Sequence, residues 1–176
     1  WEAAVEQTDP GAGGLIFTPW LHGNRSPKED AHARGMFFNI GLDTGKRQMI
    51  RAVLEGVAFH KRWILEAMEK KIPYRETVRF VGGGARSDVW CRIMADITGR
   101  VIETVEHPQD IGAAGAAIVC AVGLGLMKDF AQAKTFIPAA KQYHPDRSLS
   151  PMYDKQYDVF KKLYKKNKAL FRTMNL

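Results

Sequence analysis

The stretch RFVGGGARSDVW, from Arg79 to Trp90, decides the fold because it joins a predicted strand to a predicted helix through three consecutive glycines. The residues that lead into the glycines, Thr77–Val81, are mostly β-branched or aromatic, which favours a strand. Beyond the glycines, Ser87 or Asp88 can cap a helix. The apolar residues of that helix recur at spacings of three and four: Val89, Trp90, Ile93, Met94 and Ile97.

A glycine run between a strand and a helix leaves backbone N–H groups open to a ligand. The helix N-terminus adds a partial positive charge. A tight turn without a ligand is the alternative. The run is not a P-loop, because no Gly-Lys-Ser/Thr follows it, and its spacing does not match the dinucleotide-binding fingerprint.

Strands and helices continue to alternate after this stretch. Gly99 is expected to end the helix, and RVIETVE, residues 100–106, predicts a second strand. A helix of almost only small residues follows, with Asp110 as its predicted cap and Gly112–Ala117 as its centre. Small side chains allow a close approach to another element or to a ligand.

The first part of the chain is predicted as a loop, a short strand and a long helix. Residues 1–13 indicate a loop or an irregular start, and GLIFTPW, residues 14–20, a short strand. Periodic apolar residues predict a helix over 45–70, where the interior Gly56 indicates a close neighbour. Since few strands are recognisable, we expect an α/β fold with a truncated mixed sheet.

The last part of the chain is predicted as an extended linker, residues 138–151, followed by a helix from Met152 to Met174. Seven Lys/Arg stand against one Asp between Lys155 and Arg172, within a net charge of +7. A solvated helix face is the ordinary explanation, and a basic nucleic-acid-binding module is the alternative. Helical spacing predicts one buried aromatic stripe, with no nucleic acid as partner: Tyr153, Tyr157, Phe160, Tyr164 and Phe171.

The composition is that of a globular protein, with 176 residues, 45% hydrophobic and 26% charged. There is no signal-peptide pattern and no apolar run of about 18 residues, so we expect no membrane span. Cys91 and Cys120 lie in apolar helical patterns, which predicts buried free thiols and fits the cytoplasm. The histidines are scattered and predict no metal site.

Three segments together resemble the FGGY carbohydrate kinases, within the actin-like, ribonuclease-H-like ATPase superfamily. Residues 79–125 resemble the C-terminal half of these enzymes, and IRAVLEGVAF (50–59) resembles their signature helix. TPWLHGNRSP (18–27) is similar to their PYL-x-GER-x-P loop, with Asn24 where the family usually has Glu. The overall pattern is most similar to xylulose kinases and close relatives.

The resemblance implies a C-terminal kinase lobe over residues 1–150 and an amphipathic helix over 151–176 on the same lobe. It implies that the purine of ATP lies against the glycine backbone, and that the small-residue helix packs at the hinge between two lobes. Six residues form the implied adenosine motif: Gly82, Gly83, Gly84, Arg86, Ser87 and Asp88. The implied reaction uses ATP and Mg²⁺ to phosphorylate a pentulose such as xylulose.

In this family the catalytic Asp and the phosphate-binding motifs precede the matched region, so the resemblance implies no catalytic residue in this chain. We therefore expect a C-terminal fragment that lacks its N-terminal lobe, is inactive alone and self-associates through an exposed strand edge or hinge face. Four aspartates are expected only to cap helices or carry surface charge: Asp43, Asp96, Asp110 and Asp129. A non-catalytic, nucleotide-binding regulator of the actin-like superfamily is the alternative.

Overall fold

The computed structural model describes residues 1–175, apart from the side chain of Lys134, so Leu176 lies outside the described part of the predicted last helix. Six helices and five strands follow in chain order: α1 (Glu2–Glu6), β1 (Ile16–Thr18), β2 (Met36–Phe38), α2 (Lys46–Met68), β3 (Thr77–Arg79), α3 (Asp88–Thr98), β4 (Val101–Val105), α4 (Ile111–Gly123), α5 (Ala133–Phe136), β5 (Ala139–Tyr143) and α6 (Ser150–Met174). Short 3₁₀ turns lie at Ala12–Gly14, Gly83–Arg86, Phe130–Gln132 and Arg147–Leu149.

The strands form two small sheets. In the larger one, β3 and β4 are parallel and joined by α3, while β5 pairs antiparallel with β4. This arrangement confirms the predicted α/β class with a mixed sheet. The predicted linker over 138–151 was wrong, because Ala139–Tyr143 is a strand. Its sequence, AAKQY, has no β-branched residue, and its extended form comes from pairing with β4.

The register of the larger sheet gives it two different faces. One row faces α3 and the core, from β3 to β5: Val78, Ile102 and Tyr143. On the other face, Arg79 donates to Glu103 at 2.6 Å, and Gln142 donates to the other Glu103 oxygen at 3.1 Å. Because side chains alternate along a strand, Lys141 shares a face with Tyr143.

The start of the chain is folded rather than irregular. Residues 2–6 form α1, and Val5 is fully buried in the main core, so the prediction of a loop over 1–13 was wrong. The reason is tertiary, since Arg51 of α2 donates to the carbonyl oxygens of Val5 and Thr8 at 3.1 and 2.8 Å. A short segment of this kind carries too little periodicity to predict a helix.

A buried charged network joins this segment to α2 and α6. Oε1 of Glu55 accepts hydrogen bonds from Arg51 Nε at 2.7 Å, the Gly11 N–H at 2.9 Å and the Tyr153 hydroxyl at 2.9 Å. Burial raises the pKa of Glu55 above its usual value, while Arg51 and the other donors oppose that shift. The network anchors residues 1–14 to the helices that carry the core.

The aromatic stripe of α6 confirms the prediction, because all five of its residues are buried. They pack with Phe59 of α2 and with Trp20, which lies after β1.

Gly56 of α2 has the close neighbour that its position indicated, since a Cβ there would collide with the carbonyl oxygen of Phe17. The strand β2 was not predicted, and it pairs antiparallel with β1.

The small-residue helix α4 lies at the surface, and every residue in it is partly or fully exposed. Cys120 of α4 is exposed, so its predicted burial was wrong, whereas Cys91 of α3 is buried as predicted. Asp110 stands at the predicted cap position, but its side chain makes no capping bond there. Within residues 1–175, none of the helices is both long and apolar enough to cross a membrane.

Candidate functional site

The glycine loop lies at the carboxyl ends of the parallel strands β3 and β4. The Gly82 N–H donates to the carbonyl oxygen of Pro108 at 2.7 Å, which joins this loop to the turn that leads into α4. Ligands of open parallel sheets bind outside the carboxyl ends of the strands. The loop is therefore in the position where a ligand is expected for this topology.

The three glycines differ in the space that surrounds the position of a Cβ atom. Gly82 has φ +92°, a conformation that side chains strongly disfavour, and a Cβ on Gly82 or Gly83 would meet no atom within 4 Å. A Cβ on Gly84 would lie 2.5 Å from the ring of Trp90, so this glycine is required for packing. Within residues 1–175, the N–H groups of Gly83 and Gly84 have no protein acceptor. Open space thus faces Gly82 and Gly83.

Arg86 and Ser87, the last residues of the turn, differ in exposure and in hydrogen bonding. Arg86 is exposed and makes no hydrogen bond or ion pair within the described part of the chain. Ser87 is 4% exposed, and its hydroxyl accepts the Trp90 N–H at 3.3 Å, so Ser87 is the cap of α3. Of the two predicted caps, the structure selects Ser87 and directs its side chain inward.

Asp88 begins α3 and is held by two side chains of β5. Its Oδ1 accepts the Tyr143 hydroxyl at 2.7 Å and Lys141 Nζ at 3.0 Å, and Lys141 lies 3.3 Å from Oδ2. The hydrogen bond from Tyr143, followed by that from Lys141, lowers the pKa of Asp88 below its usual value. Sequence reasoning missed both partners because it treated this segment as a linker.

In the part of the chain that the structure describes, the remaining acidic side chains do not come together as a metal site. Asp129 accepts the Ala131 N–H at 2.9 Å and so has the predicted capping role. Asp96 lies inside α3 and accepts the Asp146 N–H at 2.8 Å, which is a tertiary contact and not a helix cap. Asp43 and Asp110 are exposed. Over residues 1–175, no three His, Cys, Asp or Glu side chains come together in a way that holds a metal ion.

Comparison with known families decides the assignment. Residues 1–124 match the model of the C-terminal domain of the FGGY family of carbohydrate kinases. The chain belongs to this family. The FGGY match covers the glycine loop, both parallel strands and α4, and it ends close to the last residue of that helix.

Individual FGGY relatives agree with this assignment. The chain is 34% identical to the xylulose kinase of Staphylococcus epidermidis over 161 residues, which cover 91% of this chain and 32% of that enzyme. A ligand-bound xylulose kinase structure from Lactobacillus acidophilus matches 98% of the chain and 35% of its own, with a TM-score of 0.87 and 27% identity. The gluconate kinase of the same species matches with a TM-score of 0.86 and 27% identity, over 98% of this chain and 35% of its own.

The chain therefore spans about a third of the length of these relatives. Since the matching family model is that of a C-terminal domain, the chain corresponds to the C-terminal lobe of a sugar kinase. The relatives carry an N-terminal part that has no counterpart in these 176 residues.

Proposed function

We propose that this chain is the nucleotide-binding, C-terminal lobe of an ATP-dependent sugar kinase whose substrate is a pentulose such as xylulose. The observation that carries the proposal is the open space at Gly82 and Gly83, in a chain that belongs to the FGGY kinases. The xylulose kinases among its relatives support the choice of substrate, and the gluconate kinase supplies the competing one.

Each residue of the loop has a separate role in this proposal. The purine lies flat against Gly82 and Gly83, where no Cβ intervenes, and the free N–H groups of the loop face the nucleotide. Arg86, exposed and unpaired within residues 1–175, provides positive charge for the phosphates. Ser87 fixes the turn as the cap of α3, and Asp88 accepts a hydrogen bond from the nucleoside. ATP supplies the phosphoryl group that is transferred.

The other parts of the reaction belong to the N-terminal part of the enzyme. We place the catalytic Asp and the Mg²⁺ site there, in the part of the relatives that this chain does not cover. A shallow apolar cleft of about 300 Å³ between α4 and α5 supports an interface with that part. In the same proposal, residues 1–150 are the kinase lobe, and residues 151–176 are the segment whose helix α6 packs on it.

Steady-state kinetics of the full-length kinase test the proposal, with D-xylulose, ribulose and gluconate as acceptors and ADP release as the signal. We expect phosphorylation of a pentulose by the full-length enzyme and no phosphorylation by residues 1–176 alone. Activity of the isolated chain, or a full-length enzyme that prefers gluconate, would contradict the corresponding part of the proposal.

The glycine loop is tested by Gly83→Ala and Gly83→Val in the same enzyme. Added carbons at Gly83 meet no protein atom within 4 Å at the Cβ position, so thermal stability should change little. The KM for ATP should rise with side-chain size, by about tenfold for Val, because the carbons occupy the space given to the purine. An unchanged KM for ATP in both variants would exclude nucleotide binding at this loop.

A further inference from the structure

Two side chains of β5 reach across the sheet to the start of α3. Lys141 and Tyr143 are two residues apart, so they lie on the same face of the sheet. Both bind the carboxylate of Asp88, which lies 53 and 55 residues earlier in the chain. The contact joins the edge strand of the sheet to the last residue of the glycine motif.

Tyr143 is held more firmly than Lys141. It pairs in register with Ile102 of β4, and its ring packs against the main core. Burial, with the hydrogen bond to Asp88 next, raises the pKa of the Tyr143 hydroxyl, so this hydroxyl remains a donor. Lys141 is exposed and supplies a cation beside the same carboxylate. A half-buried donor and an exposed cation thus act on one carboxylate.

The two oxygens of Asp88 are used unequally. Oδ1 accepts both the Tyr143 hydroxyl at 2.7 Å and Lys141 Nζ at 3.0 Å, which fixes the carboxylate in one rotamer. Oδ2 has only the longer contact of 3.3 Å with Lys141, so it keeps most of its capacity to accept hydrogen bonds. The side chain of Asp88 is 47% exposed, and a ligand at the loop can therefore reach it.

We propose that Tyr143 and Lys141 are positioning residues for nucleotide binding: they hold Asp88 so that its Oδ2 accepts a hydrogen bond from a hydroxyl or amine of the nucleoside. The inference rests on the proposed function and names residues of β5 that act on the same site. A purely structural bond between β5 and α3 is the competing explanation. The two explanations predict different results for variants of Tyr143 and Lys141. Positioning predicts a change in nucleotide affinity that acts through Asp88, whereas a purely structural bond predicts no such change.

The test uses Tyr143→Phe, which keeps the ring and removes only the hydroxyl, in the full-length kinase. We expect the KM for ATP and the dissociation constant for ADP to rise about fivefold, with kcat within about twofold of wild type. Tyr157→Phe is the matched control. It removes a similar bond, in which the Tyr157 hydroxyl donates to Glu66 at 2.8 Å, between α6 and α2. This control should leave both constants unchanged.

A double-mutant cycle shows whether Tyr143 acts through Asp88. Asp88→Asn should weaken ADP binding, and adding Tyr143→Phe to it should have little further effect, because the two share one interaction. Lys141→Met changes only an exposed side chain, so we expect stability to change little, and it should raise the dissociation constant about twofold. ADP binding is measured directly, so the cycle does not depend on which sugar is phosphorylated.

The outcomes separate this inference from the proposed function. Wild-type enzyme that binds ADP, together with a Tyr143→Phe variant of unchanged affinity, overturns only the positioning role. Fully additive effects of Tyr143→Phe and Asp88→Asn, or an equal effect of Tyr157→Phe, overturn it as well. Wild-type enzyme that binds no adenine nucleotide overturns both this inference and the proposed function.

Discussion

The helices α4 and α6 have opposite relations between composition and burial. α6 carries most of the basic excess of the chain, yet six of its residues are buried, all but one of them aromatic. α4 contains almost only apolar residues, yet every position in it is at least partly exposed. Larger exposed apolar side chains lie in α4 and in the segment that follows it: Val119, Leu124, Leu126, Phe130 and Phe136.

The difference shows that burial follows from a partner surface and not from hydrophobicity alone. In α6 the aromatic residues occupy one stripe that meets Trp20 and α2, while the lysines remain in water. In α4 small apolar residues surround the helix. Within residues 1–175 it contacts the 3₁₀ turn Phe130–Gln132, and it shares an apolar cleft with Phe136 of α5. A helix that is apolar on all sides is expected to be enclosed, which agrees with a further lobe beside α4.

The largest expected effect comes from Phe160→Ala in α6. Phe160 is fully buried and packs with the rings of Trp20, Phe59 and Trp63. Its truncation should lower the free energy of unfolding by about 4 kcal/mol, measured by urea denaturation. The matched control is Val119→Ala in α4, where 58% exposure predicts a change within about 0.5 kcal/mol. Equal losses in the two variants would contradict the contrast between the helices.

An intermediate effect is expected from His60, which belongs to the aromatic cluster under α6. Its Nδ1 accepts Trp20 Nε1 at 3.4 Å, and burial, with a smaller effect of Lys61, lowers the pKa of His60 to about 4. The unfolded chain binds this proton near pH 6.5 and the folded chain does not. Stability should therefore decrease as the pH falls from about 6.5 to about 4.

Urea denaturation between pH 7 and pH 4.5 measures this dependence. The variant His60→Gln keeps a hydrogen-bond acceptor for Trp20 and cannot be protonated, so its stability should depend less on pH than that of wild type. The free energy of unfolding of each protein near pH 7 is the reference from which its change at lower pH is measured. Parallel curves over the whole range would show that His60 is not the group responsible.

The smallest effect on folding, but a clear one on assembly, is expected from Val119→Lys in α4. We expect residues 1–176 to self-associate through the exposed apolar surface of α4 and the segment up to Phe136. Sedimentation velocity should show that Val119→Lys reduces association while the unfolding midpoint is nearly unchanged. Leu170→Lys in α6, at a site that is 61% exposed, is the control and should not affect association. Association that persists in Val119→Lys would locate the contact elsewhere.

The sequence by itself determined the elements whose signals are local. The order of strand, glycine loop, helix and strand around Gly82 followed from residue type and spacing, as did the buried stripe of α6. The sequence narrowed the cap of α3 to Ser87 or Asp88, and the structure selected Ser87. The implied nucleotide site rested on the same local pattern together with the family resemblance. Such features depend on neighbours within a few residues, which periodicity records.

Only the tertiary structure decided the features that depend on distant residues. The strand β5 exists because it pairs with β4, and its Tyr143 reaches Asp88 across 55 residues. The start of the chain is ordered because Glu55 binds the Gly11 N–H across 44 residues. Cys120 is exposed because the described chain offers its helix too little apolar surface to enclose it. In the first two cases a partner far away in sequence decides the outcome, and for Cys120 the surrounding surface does. The local pattern carries no signal of either.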